Sequence, residues 1–347
     1  MTDTLMQSST TTVTTSQQAI GRVTIVPFPG YDMMVWNGPD AAHTLYLGQR
    51  PQGSTVFSRN ATVISGFSST QSGSSASRYQ NGLINGPSFV MAPDLSQGYV
   101  VCVNQSGTVI ALPAKMEAVQ GDADFWGLVD GWRTVTGSKA AGAPAAAMAL
   151  QNGQLVLNIV WQDAGAGGMV LAQMEVGNAQ ETLSFKPLGG HACIGQPSLV
   201  MSGGISFLAW TGTDNAFNLA IDPAGGVDFQ FDGHYIDSGR GSMYGPCLVP
   251  MGGNQLYVLW ASQGGIQYAQ LAENQFGDWG FNPAPGCAGT VSGSSIALGG
   301  PYGVRYDRIG DDGTPTLAVV WPDRTGNVLL AEVPVSLGPV PITQAVF

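Results

Sequence analysis

Residues 195–221 read GQPSLVMSGGISFLAWTGTDNAFNLAI, and their punctuation recurs along the chain. A glycine and a proline lead into a short apolar run at Gly86-Pro87, Gly142 with Pro144, Gly195 with Pro197, Gly245-Pro246 and Gly300-Pro301. These prolines stand 57, 53, 49 and 55 residues apart. Behind each comes a second β-prone run, which closes on Trp161, Trp210, Trp260 and Trp321 in the last four units. Residues 99–103 hold this place in the second unit, and residues 33–36, ending in Trp36, hold it in the first. A third run follows a turn at 44–47, 108–112, 169–173, 217–221, 266–271 and 327–331. The chain therefore carries six units.

The runs are separated by Gly, Asn, Asp and Ser clusters, which mark short strands joined by tight turns. No window shows a 3.6-residue apolar period, so helices should be few. Units of this length with up to four strands match propeller blades. The spacing predicts an all-β, single-domain β-propeller over residues 20–347, with six blades and seven as the alternative. The run after each Gly-Pro should be innermost, where Ser88, Ala145, Ala146, Ala147 and Ser198 suit the crowding near the axis. The Trp run should be second, its ring between neighbouring blades. Residues 1–19 form a tail or a closing strand. Closure, which removes sheet edges, is expected from Thr10 to Thr15 or residues 20–26 against residues 342–347. Residues 65–80, Ser/Gly-rich with Arg78, read as an exposed loop.

Composition narrows the function. The 347 residues include 49 glycines, about twice the usual share of roughly 7%, and 21 prolines, with only 10% charged side chains. A 44% hydrophobic content excludes a disordered acidic chain. Glycine has no every-third-residue period, so collagen is out. A net charge of −11 with only 12 basic residues argues against nucleic acid or anionic membrane as partner. No stretch approaches the roughly 18 apolar residues of a membrane helix. Residues 1–18 lack a basic n-region and an apolar h-region, which points to a cytoplasmic protein or one exported without a signal peptide. Cys102, Cys193, Cys247 and Cys287 are widely spaced and read as buried free thiols. Neither they nor His43, His191 and His234 show ligand spacing, so no metal or cofactor is expected.

The fourth unit resembles the repeat of bacterial lectin-like propellers, which runs Pro-Ser-Leu-apolar, a short turn, Leu-Ala-Trp-Thr-Gly-Thr-Asp and an Asn-Leu continuation. The likeness extends to residues 257–269 around Trp260, and to residues 34–45, where Trp36-Asn37 and Asp40 echo the motif. The resemblance implies sugar binding in pockets between blades, with sialidase-like members among the relatives. Sites of such lectins repeat once per blade, whereas the candidate residues here do not repeat cleanly.

Sugars are held by aromatic rings against their C–H faces and by Asp, Asn, Gln or Arg at their hydroxyls. The connections before each inner strand and after each Trp strand share one face. That places Asn37, Asp40, Asp163, Asp214 and Asp323 there, with Arg78, Arg133, His191, Arg240 and Tyr244. The ligand-binding candidates are Trp36, Trp161, Asp163, Trp210, Asp214, Arg240, Trp260, Trp321 and Asp323. Each tryptophan also reads as inter-blade core, and each aspartate as a turn cap. Low charge suits a neutral glycan. A glycosidase needs two carboxyl groups roughly 5 to 10 Å apart, and no pair occupies the inner strands. A sialidase needs an arginine triad and a Ser-x-Asp-x-Gly-x-x-Trp box, which Ser106 and Asp323-Arg324 do not complete. Arg305, Tyr306, Asp307 and Arg308 break the repeat and either line a pocket at the channel or plug it. The expectation is a non-catalytic, multivalent carbohydrate-binding propeller. A propeller enzyme at the channel mouth, using His191, Asp307 and Arg305, is the alternative, and a protein-interaction scaffold a third. Homo-oligomerisation stays open.

Overall fold

Hairpin chemistry sets the strands. In the third unit Asn152 (φ +50°) and Gly153 (φ +79°) form a two-residue turn closed by Gln151 opposite Gln154. Both central residues have positive φ, the backbone twist that favours Asn-Gly in tight hairpins. Gly203 and Gly204 do the same work in the fourth unit. The computed structural model describes residues 9–13, 18–38, 45–52, 54, 59–63, 86–104, 106–117, 125–128, 133–165, 167–177, 182–229, 235–252, 255–273, 278–284, 286–294, 299–306 and 315–335.

The described strands form six sheets arranged as the blades of a β-propeller. Strand β1 (Ser9–Val13) precedes the first blade, which comprises β2 (Ile20–Phe28), β3 (Tyr31–Asn37), β4 (Leu45–Pro51) and β5 (Arg59–Val63). The second holds β6 (Ser88–Met91), β7 (Gln97–Val103), β8 (Val109–Glu117), β9 (Phe125–Leu128) and β10 (Arg133–Val135). The third holds β11 (Ala145–Gln151), β12 (Gln154–Gln162) and β13 (Met169–Glu175). Next, β14 (Thr182–Leu183) reaches back to pair in parallel with β10, and β15 (Phe185–Pro187) completes the third blade. The fourth is β16 (Cys193–Ser202), β17 (Ile205–Gly212), β18 (Phe217–Asp222) and β19 (Tyr235–Asp237). The fifth is β20 (Cys247–Gly252), β21 (Gln255–Ser262), β22 (Gly265–Glu273), β23 (Trp279–Phe281) and β24 (Ala288–Thr290). The sixth is β25 (Tyr302–Tyr306), β26 (Thr316–Pro322) and β27 (Val328–Pro334), and β1 is its outer strand.

The Thr-rich segment closes the ring as expected, but its described partner is β27. β1 pairs with β27, from Ser9 opposite Glu332 to Val13 opposite Val328. Residues 342–347 lie outside the described residues, as do residues 65–80.

Six apolar clusters lie one at each blade interface. Strand alternation sends Leu157, Ile159 and Trp161 toward the second blade, and Val160 toward the fourth. Both faces of each blade are thus buried, which is why these strands read as near-continuous apolar runs. Trp36, Trp161, Trp210, Trp260 and Trp321 each face the preceding blade. Four are 0 or 1% exposed and Trp260 is 8% exposed.

At the axis the inner strands touch but belong to separate sheets. Polar bonds stitch each junction. Thr24 donates to the Pro87 carbonyl (2.6 Å), Ser88 to the Pro144 carbonyl (3.0 Å), and Gln196 to that same oxygen from the other side (2.5 Å). The Leu248 amide donates to Ser198 Oγ (2.9 Å), and Arg305 to the Met251 carbonyl. The ring closes through Tyr306, whose hydroxyl donates to Asp32 Oδ2 (2.6 Å), an atom also held by Arg50 (2.5 Å). The Asp32 and Arg50 side chains are 0 and 2% exposed. Removing one partner strands a buried charge. Asp32→Ala is therefore expected to cost about 3–5 kcal/mol in urea unfolding.

All four cysteines are buried thiols. Burial pushes Cys102 and Cys193 up to about 12 and raises Cys247 and Cys287. Since the thiolate is the reactive form, a disulfide reagent at pH 8 should leave the folded protein unlabelled. After denaturation in guanidinium it should label all four.

Candidate functional site

The inner strands start, and the second strands end, on one face. This mouth face carries the channel opening and, around it, the segments that cross from one blade to the next.

Each blade contributes its lead-in segment to the channel opening. Gly21 and Arg22 come from the first blade, Gly86 from the second, Gly142 from the third, Gly195 and Gln196 from the fourth, Tyr244 from the fifth and Gly300 from the sixth. Together they line a cavity of ≈ 360 Å³. The first and fourth blades bulge there in the same way. Register shifts between Ile20 and Thr24, and between Ile194 and Ser198, set three residues of the inner strand against one tryptophan, Trp36 or Trp210. Gly21 (φ +68°) and Gly195 (φ +70°) make the turn, and Arg22 and Gln196 follow. Among the described lining residues Arg22 alone is charged, and none is a carboxylate or histidine.

The groove between the fourth and fifth blades holds a prearranged arginine. Arg240 donates to Asp237 Oδ2 (2.5 Å), whose other oxygen accepts the Gly239 amide (2.8 Å). The guanidinium lies 3.8 Å from the Phe281 ring centroid and 5.9 Å from that of Trp260. Its side chain keeps 33% exposure. One groove earlier, His191 stands 5.8 Å from the Trp210 ring. Both residues are six positions before a blade proline, Pro197 or Pro246, and both cap the tryptophan of the following blade. The structure thus unites Arg240 with Trp260, and His191 with Trp210.

The remaining candidates sit apart. Trp36, Trp161, Trp210 and Trp321 are interface core and show no ring face to solvent. Asp163 is 2% exposed; it accepts from the Lys139 amide (2.9 Å), the Gly165 amide (2.8 Å) and Trp161 Nε1 (3.3 Å). Asp214 caps its hairpin through the Ala216 amide (3.0 Å). Asp323 accepts from the Thr325 amide (2.7 Å) and the Asn327 amide (2.9 Å). Burial pushes the Asp323 carboxyl up, but the hydrogen bonds from Thr325 and Asn327 outweigh it and hold it below the usual carboxylate range. Asn104 repeats this cap in the second blade. These carboxylates shape turns.

The proposed enzyme set does not converge. Arg305 is at the far end of β25 from the mouth, donating to Met251, whereas His191 lies on the mouth face in a groove. Asp307, Arg308, Asp40 and Arg78 lie outside the described residues. Arg305 was expected to line or plug a pocket at the channel; instead it bridges two blades at the opposite rim. Sequence reasoning missed Arg22, Asp237 and the Asp32–Arg50 pair. The matching Gly21-Arg22 and Gly195-Gln196 steps could have pointed to Arg22.

The six-bladed ring decides the comparison. Its likenesses are structural. No family model matches the chain, and no curated protein matches it in sequence. AofleA from Arthrobotrys oligospora superposes with a TM-score of 0.62 at 8% identity, over 97% of this chain and 88% of that one. The fucose-specific lectin from Aleuria aurantia gives 0.54 at 12% identity, over 97% and 100%. A Trypanosoma rangeli sialidase gives 0.54 at 9% identity, over 93% of this chain and 57% of its own. At these identities the likeness is one of fold.

The Lys139 and Gly165 amides and the Trp161 indole N–H converge on Asp163, and leaving a buried donor unpaired costs about 1 kcal/mol or more. Asp163→Ala should lower unfolding free energy by about 3 kcal/mol, read by chemical denaturation, without changing any ligand affinity.

Proposed function

We propose that this protein is a non-catalytic carbohydrate-binding propeller. Its sugar sites are the groove between the fourth and fifth blades and the matching groove between the third and fourth. The observation that carries this reading is Arg240, fixed by Asp237 and laid over Phe281 beside Trp260. A guanidinium held over a ring offers its outer N–H groups to hydroxyls without first losing side-chain freedom. An aromatic face beside it would suit the C–H face of a pyranose. His191 over Trp210 supplies a second donor in the same relation to its blade. Multivalency rests on this partial repetition, seen at two blade junctions among the described residues. Support also comes from the lectin-like repeat of the fourth unit and from the fold shared with a fucose-specific lectin. The low charge of the chain fits a neutral glycan, which needs no electrostatic steering.

Calorimetric titration with L-fucose and a panel of neutral monosaccharides should find two weak sites per chain. Arg240→Ala should weaken one of them at least ten-fold, about 1.4 kcal/mol, and His191→Ala the other, each with the thermal midpoint kept. Absence of binding to any neutral sugar, or wild-type titration curves from Arg240→Ala, would rule the reading out.

A further inference from the structure

The sugar grooves leave the channel mouth without a task, and the mouth contains an uncompensated charge. Arg22 is 5% exposed, yet it lines the open cavity. Its Nη2 crosses the sixth blade's lead-in to donate to the Pro246 carbonyl (3.0 Å), while Nε is buried without a hydrogen-bond partner. The groups that act on it electrostatically are Cys247 and Tyr302, both pushed up by burial and therefore neutral near pH 7. Burial also pushes the guanidinium itself down. A buried charge is normally paired, and here no described lining residue is acidic.

We propose that the channel mouth is a second binding site, for a small ligand that presents one carboxylate to Arg22. A planar guanidinium matches a carboxylate in shape and hydrogen-bond pattern. One positive charge balances a monoanion and would leave a phosphate dianion half uncompensated. The cavity, at ≈ 360 Å³, has room for a few heavy atoms beyond the carboxylate. The ring of lead-in glycines keeps it open: a Cβ at Gly300 would stand 3.2 Å from Arg22 Nη2 and 3.0 Å from Tyr244 Cβ.

The test is titration of the full chain with acetate, glycolate and benzoate at constant ionic strength, beside acetamide and inorganic phosphate. One saturable carboxylate site per chain is expected, with no response to acetamide and phosphate at least ten-fold weaker. Arg22→Gln should lose that binding at least ten-fold, and Arg240→Ala should keep it, which separates this site from the sugar grooves. If Arg22→Gln fails to fold, Gly300→Ala serves instead, since it narrows the mouth and keeps the charge; it should weaken benzoate more than acetate. No saturable carboxylate binding by the wild type, tighter binding of phosphate, or undiminished binding by a folded Arg22→Gln would overturn the proposal.

Discussion

The inner strands depend on hydrogen bonds that no sheet supplies. Six short strands meet at an axis, each in its own sheet, so their facing backbone groups have no common ladder. Proline carbonyls resolve this. Pro87, Pro144 and Pro246 have no N–H to place, and each carbonyl accepts a side-chain donor carried by another blade. Pro144 takes two, from Ser88 and Gln196, so one oxygen ties three blades together. Thr24 and Ser88 donate through short hydroxyls, whereas Gln196 and Arg22 reach their carbonyls on longer arms. Close approach limits the lead-ins: a Cβ at Gly245 would lie 1.9 Å from the Gln196 carbonyl. The glycine-proline punctuation is therefore a chemical requirement of the hub as well as a turn signal.

That requirement explains what the sequence revealed. The Gly-Pro spacing and the Trp-terminated runs disclose six blades because each blade must solve the same packing problem, with two apolar faces and a crowded axis. The small inner residues and the interface tryptophans follow from it too. What escaped was whatever depends on contacts between units. β14 joining the second blade's sheet from the third has no signature beyond two β-prone residues. Asp32 and Arg50 face each other across two strands of the first blade, and Tyr306 reaches them only because the ring closes. Arg305 was misplaced because the direction of β25 puts its last residues at the rim opposite Gly300.

The candidate sites show the same division. Arg240 and His191 were visible as polar residues just before a proline, but their seating on the next blade's tryptophan needed the ring. The Asp residues after tryptophan look like a binding rim and act as turn caps, since a carboxylate two residues before an exposed amide satisfies it locally. Arg22 was hidden by its position. In sequence it opens an ordinary strand, and only the bulge shared with Gln196 turns it into the channel.

The closing strand has a mechanical meaning. The chain enters β1 at Ser9 and leaves β27 at Pro334, and the antiparallel register puts Ser9 beside Glu332. The start of β1 and the end of β27 therefore lie side by side at one end of the sixth blade. Tension applied through them does not shear the five cross-strand pairs together but opens them in succession, from Ser9 to Val13. Against a pull on these two strand ends the closure is fastened like a zip.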